Sequence, residues 1–233
     1  AMATTIWGTS SSWTLTALPL FVWMGEILFR TKLSENLFKG LSPWLSRLPG
    51  GLIHVNVVGC GLFAAISGSS AATVATVGKM SIPELRKRKY PEKILLGSLA
   101  GSGTLGLLIP PSIILIIYGV TIEDSIAKLF MAGILPGIML AVIFMLYVVI
   151  WSIINKKQMP IISENFSFLE KIKKSKQLLP VVLLITAVIG SIYTGIATAT
   201  EAASLGVVGA LILSLFQGTL NKDSFRLSLL GAT

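Results

Sequence analysis

Long apolar runs separated by short polar clusters make up most of this chain. A bilayer crossing takes about 20 apolar residues, and several runs reach or approach that length. These runs cover residues 13–29, 48–78, 94–120, 127–154, 178–196 and 198–216. Residues 33–48 instead mix apolar and charged positions, as in a helix that lies at a membrane interface. The pattern predicts an all-α membrane protein built as a helical bundle.

Composition and charge support the membrane class. Only 12% of the 233 residues are charged and 53% are hydrophobic, whereas a soluble domain has about 25% charged residues. The net charge of +9 could suggest nucleic acid, but the basic residues form short clusters between apolar runs, which is typical of membrane topology. We therefore expect the lipid bilayer, and no nucleic acid, as the surroundings of this chain. The single cysteine, Cys60, lies in an apolar run and is predicted to be a packing residue.

The basic clusters also predict the orientation. Lys and Arg accumulate on the cytoplasmic side of membrane proteins. Placing the clusters at 30–47, 79–93, 156–176 and 222–226 inside leaves Lys128 as the exception among the 19 basic residues. This arrangement requires the charge-free run 48–78 to enter and leave the membrane by the same face.

The run 48–78 has 31 residues without Asp, Glu, Lys or Arg. Two full crossings would need about 40 apolar residues. We therefore predict a re-entrant hairpin of two half-helices, 52–66 and 70–78, whose tip is Ser67-Gly68-Ser69-Ser70. Irregular backbone at membrane depth is tolerated inside protein or beside a watery cavity. A single tilted, Ser-rich span is the alternative.

A second interruption falls at Ile109-Pro110-Pro111-Ser112. Two adjacent prolines remove two backbone donors and free carbonyl groups upstream, so we predict a discontinuous helix. Secondary transporters place ion and substrate sites at such breaks and at hairpin tips. The tip and the break offer hydroxyls and carbonyls but no carboxylate, a set that suits a monovalent cation such as sodium better than a divalent ion.

Proton coupling would usually need buried Asp, Glu or His, and Glu26 and His54 are the candidates. Glu26 can pair with Arg30 one helical turn later. His54 lies at the entry to the hairpin, where we expect a packing or interfacial role. Neither residue is central to the predicted site.

A set of short strings, taken in order, resembles one family of membrane proteins. The strings are Pro19-Leu20-Phe21, Met24-Gly25-Glu26, Gly50-Gly51-Leu52, Val55-Asn56-Val57, Phe63 to Ser69, Ile82-Pro83, Gly106 with Ile109 to Ser112, Tyr118-Gly119, Ser125, Leu129-Phe130, Ala132-Gly133, Pro136-Gly137 and Thr200-Glu201-Ala202-Ala203. Together they resemble the large membrane subunit of TRAP (tripartite ATP-independent periplasmic) transporters.

The resemblance implies a transporter permease and not an enzyme. It implies an elevator-type symporter of the bacterial inner membrane that is coupled to sodium and needs no organic cofactor. A periplasmic binding protein would deliver a small organic anion such as a dicarboxylate or a sialic acid, and a small four-helix membrane subunit would brace the large one.

The resemblance also implies a sodium site at the hairpin tip and the first broken helix. Carried onto this sequence, its residues are Ser67, Gly68, Ser69, Ser70, Gly106, Ile109, Pro110, Pro111 and Ser112. Asn56 and Thr73 are candidates for supporting the hairpin or the substrate, and for Asn56 a structural capping role is an equal alternative.

The family's chains are nearly twice as long and consist of two inverted repeats. This chain resembles the first repeat and the start of the second, truncated at both ends. The predicted segments are a scaffold-type and an interfacial helix (1–48), the hairpin (49–80), a cytoplasmic basic loop with the discontinuous helix (81–120), a long connecting helix (121–155), a cytoplasmic loop (156–177) and two spans of the second repeat (178–233). An incomplete, transport-inactive fragment that only assembles with the small subunit is an alternative function.

A remote alternative is an intramembrane serine hydrolase that uses Ser67 or Ser69. Such an enzyme needs a base beside its nucleophile. His54 lies thirteen positions before Ser67, about 20 Å away along a helix.

Two local features have packing interpretations. Thr198 and Glu201 have the spacing of a capping box, which predicts a helix start. Gly97 and Gly101 form a G-x-x-x-G pair, which predicts close contact with another helix.

Overall fold

Helices build the described part of the chain. The structure, a computed structural model, describes residues 13–31, 33–160 and 167–232, and these residues contain no β-strand. The predicted all-α class is confirmed for them. The predicted segments 1–48, 156–177 and 178–233 include residues 1–12, Lys32, 161–166 and Thr233, which lie outside the described residues.

The α-helices follow one another with short connections. They are α1 (Ala17–Phe29), α2 (Leu33–Leu45), α3 (His54–Ser67), α4 (Ser70–Lys87), α5 (Glu92–Gly103), α6 (Ile113–Thr121), α7 (Ile126–Ile154), α8 (Phe168–Ser175), α9 (Leu179–Tyr193), α10 (Ala199–Phe216) and α11 (Lys222–Gly231). Short 3₁₀ helices at Trp13–Thr16, Gly51–Ile53 and Thr104–Leu107 extend α1, α3 and α5.

The described helices differ in their capacity to cross a membrane. By length and composition, α7 and α10 can each cross one, and α8 with α9 would add a third span if that pair, bent by 58°, acts as one segment. α1 and α3, taken with their 3₁₀ turns, are apolar but shorter.

The run 48–78 forms a helical hairpin. α3 and α4 pack against each other on either side of the turn at 68–69. The single tilted span is therefore wrong.

The second arm of the hairpin is longer than predicted. We expected a half-helix over 70–78 and then a basic loop, but α4 continues through Pro83 to Lys87. The Arg88 guanidinium lies 2.9 Å from the Glu84 carboxylate, and basic side chains in a last turn interact favourably with the helix dipole. Much of the basic cluster is therefore helical, and α4 crosses the predicted segment boundary at residue 80.

Two further polar stretches are also helical. α8 lies within the predicted loop 156–177 and begins with a capping box between Ser167 and Glu170. It packs on the interfacial helix α2, where Trp44 Nε1 donates to Ser175 Oγ over 2.7 Å. α11 occupies the end of the segment 178–233, in which we expected two spans. It packs against α1.

The core lies where α1, α3 and α10 meet. The Phe21 and Phe130 rings pack edge to face with centroids 6.5 Å apart. Cys60 is fully buried, as predicted. The predicted capping box of α10 is confirmed, because the Glu201 carboxylate accepts from Thr198 N over 2.8 Å and Glu201 N donates to Thr198 Oγ1 over 3.3 Å.

Asn56 ties the hairpin to the neighbouring helix. Its side chain is fully buried in α3. The amide nitrogen donates to Leu95 O over 3.2 Å and to Ser98 Oγ over 2.9 Å, both on α5. These contacts give Asn56 a structural role on the body of the hairpin.

We expect Asn56→Ala to lower the free energy of unfolding by about 1–3 kcal/mol, because it removes both bonds and leaves buried polar groups unpaired. Unfolding of the detergent-solubilised protein measures the change. Thr121→Ala is the matched control, since the exposed Thr121 hydroxyl bonds only within its own helix, to Ile117 O. Equal stabilities of the two variants would contradict the anchoring role.

Candidate functional site

The hairpin turns through a single glycine. α3 ends at Ser67, and Gly68 adopts a left-handed conformation with φ of 61°. A residue with a Cβ atom is strained in this conformation, whereas glycine, which has no Cβ, is not. Ser69 is extended and caps α4, its hydroxyl accepting from Ala72 N over 3.4 Å.

Ser67 and Thr73 brace the turn from inside. Both are buried, and their hydroxyls share a hydrogen bond of 3.0 Å. Ser69 N donates to Ser67 Oγ over 3.3 Å. Thr73 therefore ties the first turn of α4 to the end of α3.

The discontinuous helix is present at the predicted place. The 3₁₀ turn Thr104–Leu107 follows α5, and α6 begins at Ile113. Pro110 and Pro111 supply no N–H, so carbonyls before them lose helical partners. The fully buried Ser112 donates its hydroxyl to one of these, Leu107 O, over 2.8 Å.

The hairpin tip and the helix break are in direct contact. Ile113 N donates to Gly68 O over 3.2 Å. A Cβ placed on Gly68 would lie 2.7 Å from Pro111 O, and one on Gly106 would lie 2.9 Å from Ser70 N. The structure thus brings the predicted tip residues and the predicted break residues to one place, which we call the tip–break junction.

The long helix α7 packs against the helix break through two glycines. A Cβ on Gly133 would meet Leu108 O at 2.5 Å, and one on Gly137 would meet Ile109 Cγ1 at 3.0 Å. No packing role was expected for these two glycines, although their G-x-x-x-G spacing is typical of close contact between helices.

The predicted pair Gly97 and Gly101 packs only in part. A Cβ on Gly101 would approach the Phe144 ring to 3.3 Å, whereas Gly97 has no described atom within 4 Å of such a Cβ. The expectation is therefore wrong for Gly97.

The donor set of the junction fits a monovalent cation. Ser70 Oγ is buried and has no hydrogen-bond partner among the described residues. Ser70 is one of the residues whose backbone Gly106 approaches. The described residues contain no cluster of His, Cys, Asp or Glu that could hold a metal ion. Neutral oxygens suit a singly charged ion better than a divalent one, which needs carboxylates to offset its charge.

A cavity of about 250 Å³ lies beside the tip, on the side of α1. Ser67 and Ser69 line it together with Glu26. Gly25 lets α1 approach the tip, because a Cβ there would lie 2.9 Å from Ser67 Cα. The predicted pair of Glu26 with Arg30 is present at 3.1 Å.

The geometry does not support a serine hydrolase. His54 is the first residue of α3 and Ser67 is the last. His54 Nε2 lies 2.8 Å from Pro49 O, while Ser67 bonds within the tip. The two side chains therefore lie at opposite ends of one helix, and His54 has the packed role that we expected.

Comparison with known proteins identifies the family. The whole chain, residues 1–233, matches the model of the family described as the tripartite ATP-independent periplasmic transporter, DctM component. The chain belongs to this family. The resemblance drawn from the sequence is confirmed.

Named relatives agree with this assignment. The chain is 36% identical to the C4-dicarboxylate TRAP transporter large permease protein DctM of Pseudomonas aeruginosa, over 93% of this chain and 50% of that protein. It is 35% identical to the isethionate TRAP transporter permease protein DctMQ of Oleidesulfovibrio alaskensis, over 88% of this chain and 32% of that protein. It is 33% identical to the sialic acid TRAP transporter large permease protein SiaM of Vibrio cholerae, over 94% of this chain and 51% of that protein.

This DctM-family chain therefore spans about half the length, or less, of these relatives. The relatives are named transporter permeases, and the prediction that the chain is not an enzyme is confirmed. The described part of the chain has helices that are long and apolar enough to cross a membrane, as this family assignment requires.

We expect Gly106→Ala to lower the free energy of unfolding by about 1–3 kcal/mol, because overpacking forces the tip and the break apart. Gly97→Ala is the control, since the added methyl group meets open space and alanine favours a helix by up to about 1 kcal/mol. Unfolding of both variants in detergent measures the difference. The contact at the junction would be refuted if Gly106→Ala matched Gly97→Ala in stability.

Proposed function

We propose that this chain provides the sodium-binding half-site of a secondary transporter that imports small organic anions across the bacterial inner membrane. The observation that carries the proposal is the tip–break junction, where hydroxyls and freed carbonyls meet without a carboxylate. Such half-helix ends are where secondary transporters bind coupling ions.

The sodium ligands would come from both sides of the junction. On the hairpin, Ser70 offers a hydroxyl whose oxygen is buried and has no hydrogen-bond partner among the described residues. The Ser69 hydroxyl, the other candidate at the tip, already accepts from Ala72 N. On the break, Gly106 O and Leu107 O lose helical donors because Pro110 and Pro111 have no N–H. Ile109 O also lacks its helical donor, because Ile113 N donates to Gly68 O instead. An ion held there would fix the hairpin against the break, and this gives sodium a direct effect on the position of the tip.

An organic-anion substrate is supported by the three relatives compared above. Their names specify a C4-dicarboxylate, isethionate and sialic acid, all of which are anions. The binding protein and the small membrane subunit follow from the tripartite family. This chain covers only 32% of the isethionate permease. That polypeptide is therefore long enough to contain a further membrane subunit as well.

The elevator arrangement and the inverted repeat belong to the same proposal. In this proposal the hairpin, the break and α7 move as one body, because they pack closely against one another at Gly106, Gly133 and Gly137. α1 would then contribute to the surface along which that body moves.

Reconstitution tests the coupling. The full-length permease is placed in proteoliposomes with its small subunit and loaded binding protein, and uptake is measured with and without an inward sodium gradient. We expect uptake to require the gradient. Uptake that is independent of the sodium gradient would refute the coupling. An intact assembly that shows no uptake would favour the alternative, in which the chain only assembles with the small subunit.

Ser70→Ala should raise the sodium concentration for half-maximal uptake about tenfold, because a hydrogen-bond-type ligand to a charged group contributes roughly 1.5–3 kcal/mol. Ser81→Ala is the matched control. Ser81 Oγ is likewise buried on α4 without a partner among the described residues, but Ser81 lies eleven positions further along the helix. The same sodium dependence in both variants would remove Ser70 from the site.

A further inference from the structure

An apolar groove runs between α9 and α10. It measures about 440 Å³, and the residues that line it on both helices are nonpolar. Leu179 and Leu183 on α9 and Ile212 on α10 are each about half exposed. The described helices therefore leave the groove open to the surroundings of the bundle.

The groove is nearly as long as one leaflet of a membrane is thick. On α9 it extends from Leu179 to Ala187, which corresponds to about 12 Å of helix. Half of the hydrocarbon core of a bilayer measures about 15 Å. Because α9 begins at Leu179, the groove starts at the end of α9 that we expect to be cytoplasmic. Its length and its lining suit an acyl chain of a lipid in that leaflet.

Lys176 lies at the mouth of the groove. It precedes Leu179 by three residues and Pro180 by four, and Leu179 N donates to Lys176 O over 3.3 Å. Residues three and four apart share one face of a helix, so Lys176 continues the stripe that Leu179 and Leu183 form. Lys173 lies one turn earlier, on α8. Both lysines are exposed.

The turn that carries Lys176 is anchored on both sides. Ser175 Oγ accepts from Trp44 Nε1 over 2.7 Å. A Cβ on Gly40 would lie 2.6 Å from Leu178 Cγ, so Leu178 also packs closely on α2. Because both neighbours of this turn are held on α2, the backbone of Lys176 has a defined place at the mouth of the groove.

The charge of this region is positive, and its exposed face is partly apolar. Residues 168–176 contain four lysines and one glutamate. Phe168 is 66% exposed and Leu169 is 77% exposed. Basic amphipathic helices lie in the head-group region of a membrane, and lysine clusters next to a membrane span attract anionic lipids of the cytoplasmic leaflet. The lysines thus favour a head group with a net negative charge.

We propose that α8, α9 and α10 form a binding site for one anionic phospholipid of the cytoplasmic leaflet. Its head group binds Lys173 and Lys176, and one acyl chain occupies the groove from Leu179 to Ala187. A helix of another subunit would also cover the apolar residues, but it would bring no counter-charge to the lysines. An anionic phospholipid satisfies both parts of the site. The residues of this groove are separate from the tip–break junction.

Native mass spectrometry of the full-length permease in detergent tests the head-group site. Phosphatidylglycerol and phosphatidylcholine with identical acyl chains are titrated, and bound lipid is counted from the mass. We expect phosphatidylglycerol to bind more tightly. In Lys173→Gln/Lys176→Gln its apparent Kd should rise about thirtyfold, because each lysine near an anionic lipid contributes a factor of about five. Lys173→Arg/Lys176→Arg should keep the affinity. Lys87→Gln/Lys93→Gln is the matched control, since it removes the same charge from two exposed lysines of another basic cluster.

Ala187→Trp tests the groove in the same titration. The indole would occupy space that the acyl chain needs. We expect the apparent Kd for phosphatidylglycerol to rise roughly tenfold, as when about two CH₂ groups lose their apolar contact. Thr186→Trp is the control, because Thr186 is exposed on the same helix but does not line the groove.

Several results would overturn the proposal. These are equal affinities for the two lipids, equal losses in the two glutamine pairs, or unchanged affinity in Ala187→Trp. Displacement of phosphatidylglycerol by the small membrane subunit, together with failed assembly of Ala187→Trp, would show that a protein helix occupies the groove and would also overturn it.

Discussion

The structure depends on how the interrupted backbone is satisfied at membrane depth. A hairpin turn and a helix break both expose peptide groups, and lipid offers these groups no partners. Here the two interruptions satisfy each other, because Ile113 N at the start of α6 donates to Gly68 O at the hairpin turn. The Ser112 hydroxyl donates to Leu107 O, a carbonyl that has no helical donor because of the break. Because the two interruptions share this hydrogen bond, the hairpin and the broken helix form one unit.

That pairing requires backbones to approach closely, and glycine makes the approach possible. The break approaches the tip at Gly106, α7 approaches the Leu108 carbonyl at Gly133, and α1 approaches Ser67 at Gly25. Because glycine has no side chain, each of these positions is in close contact with neighbouring backbone. The chemistry left at the junction is therefore that of carbonyls and small hydroxyls, and the proposed sodium site rests on these neutral oxygens.

The parts of this arrangement that are local were predictable from the sequence. Glycine between serines, two adjacent prolines and the Thr198–Glu201 spacing act on their immediate neighbours, so the turn, the break and the start of α10 lie where expected. The end of α4 and the helix α8 were not predicted, because basic residues suggested loops. The contact of Gly133 with Leu108 joins positions 25 residues apart, and spacing alone cannot name such a partner.

The break also determines the charge that the junction presents. Gly106 O and Leu107 O lose their helical donors because Pro110 and Pro111 have no N–H, and Ser112 donates to Leu107 O over 2.8 Å. A cation bound to such carbonyls would hold the hairpin tip and the break in the contact that Ile113 N and Gly68 O already make. Coupling of this kind is reciprocal, so the ion would favour the packed tip by as much as the packed tip favours the ion.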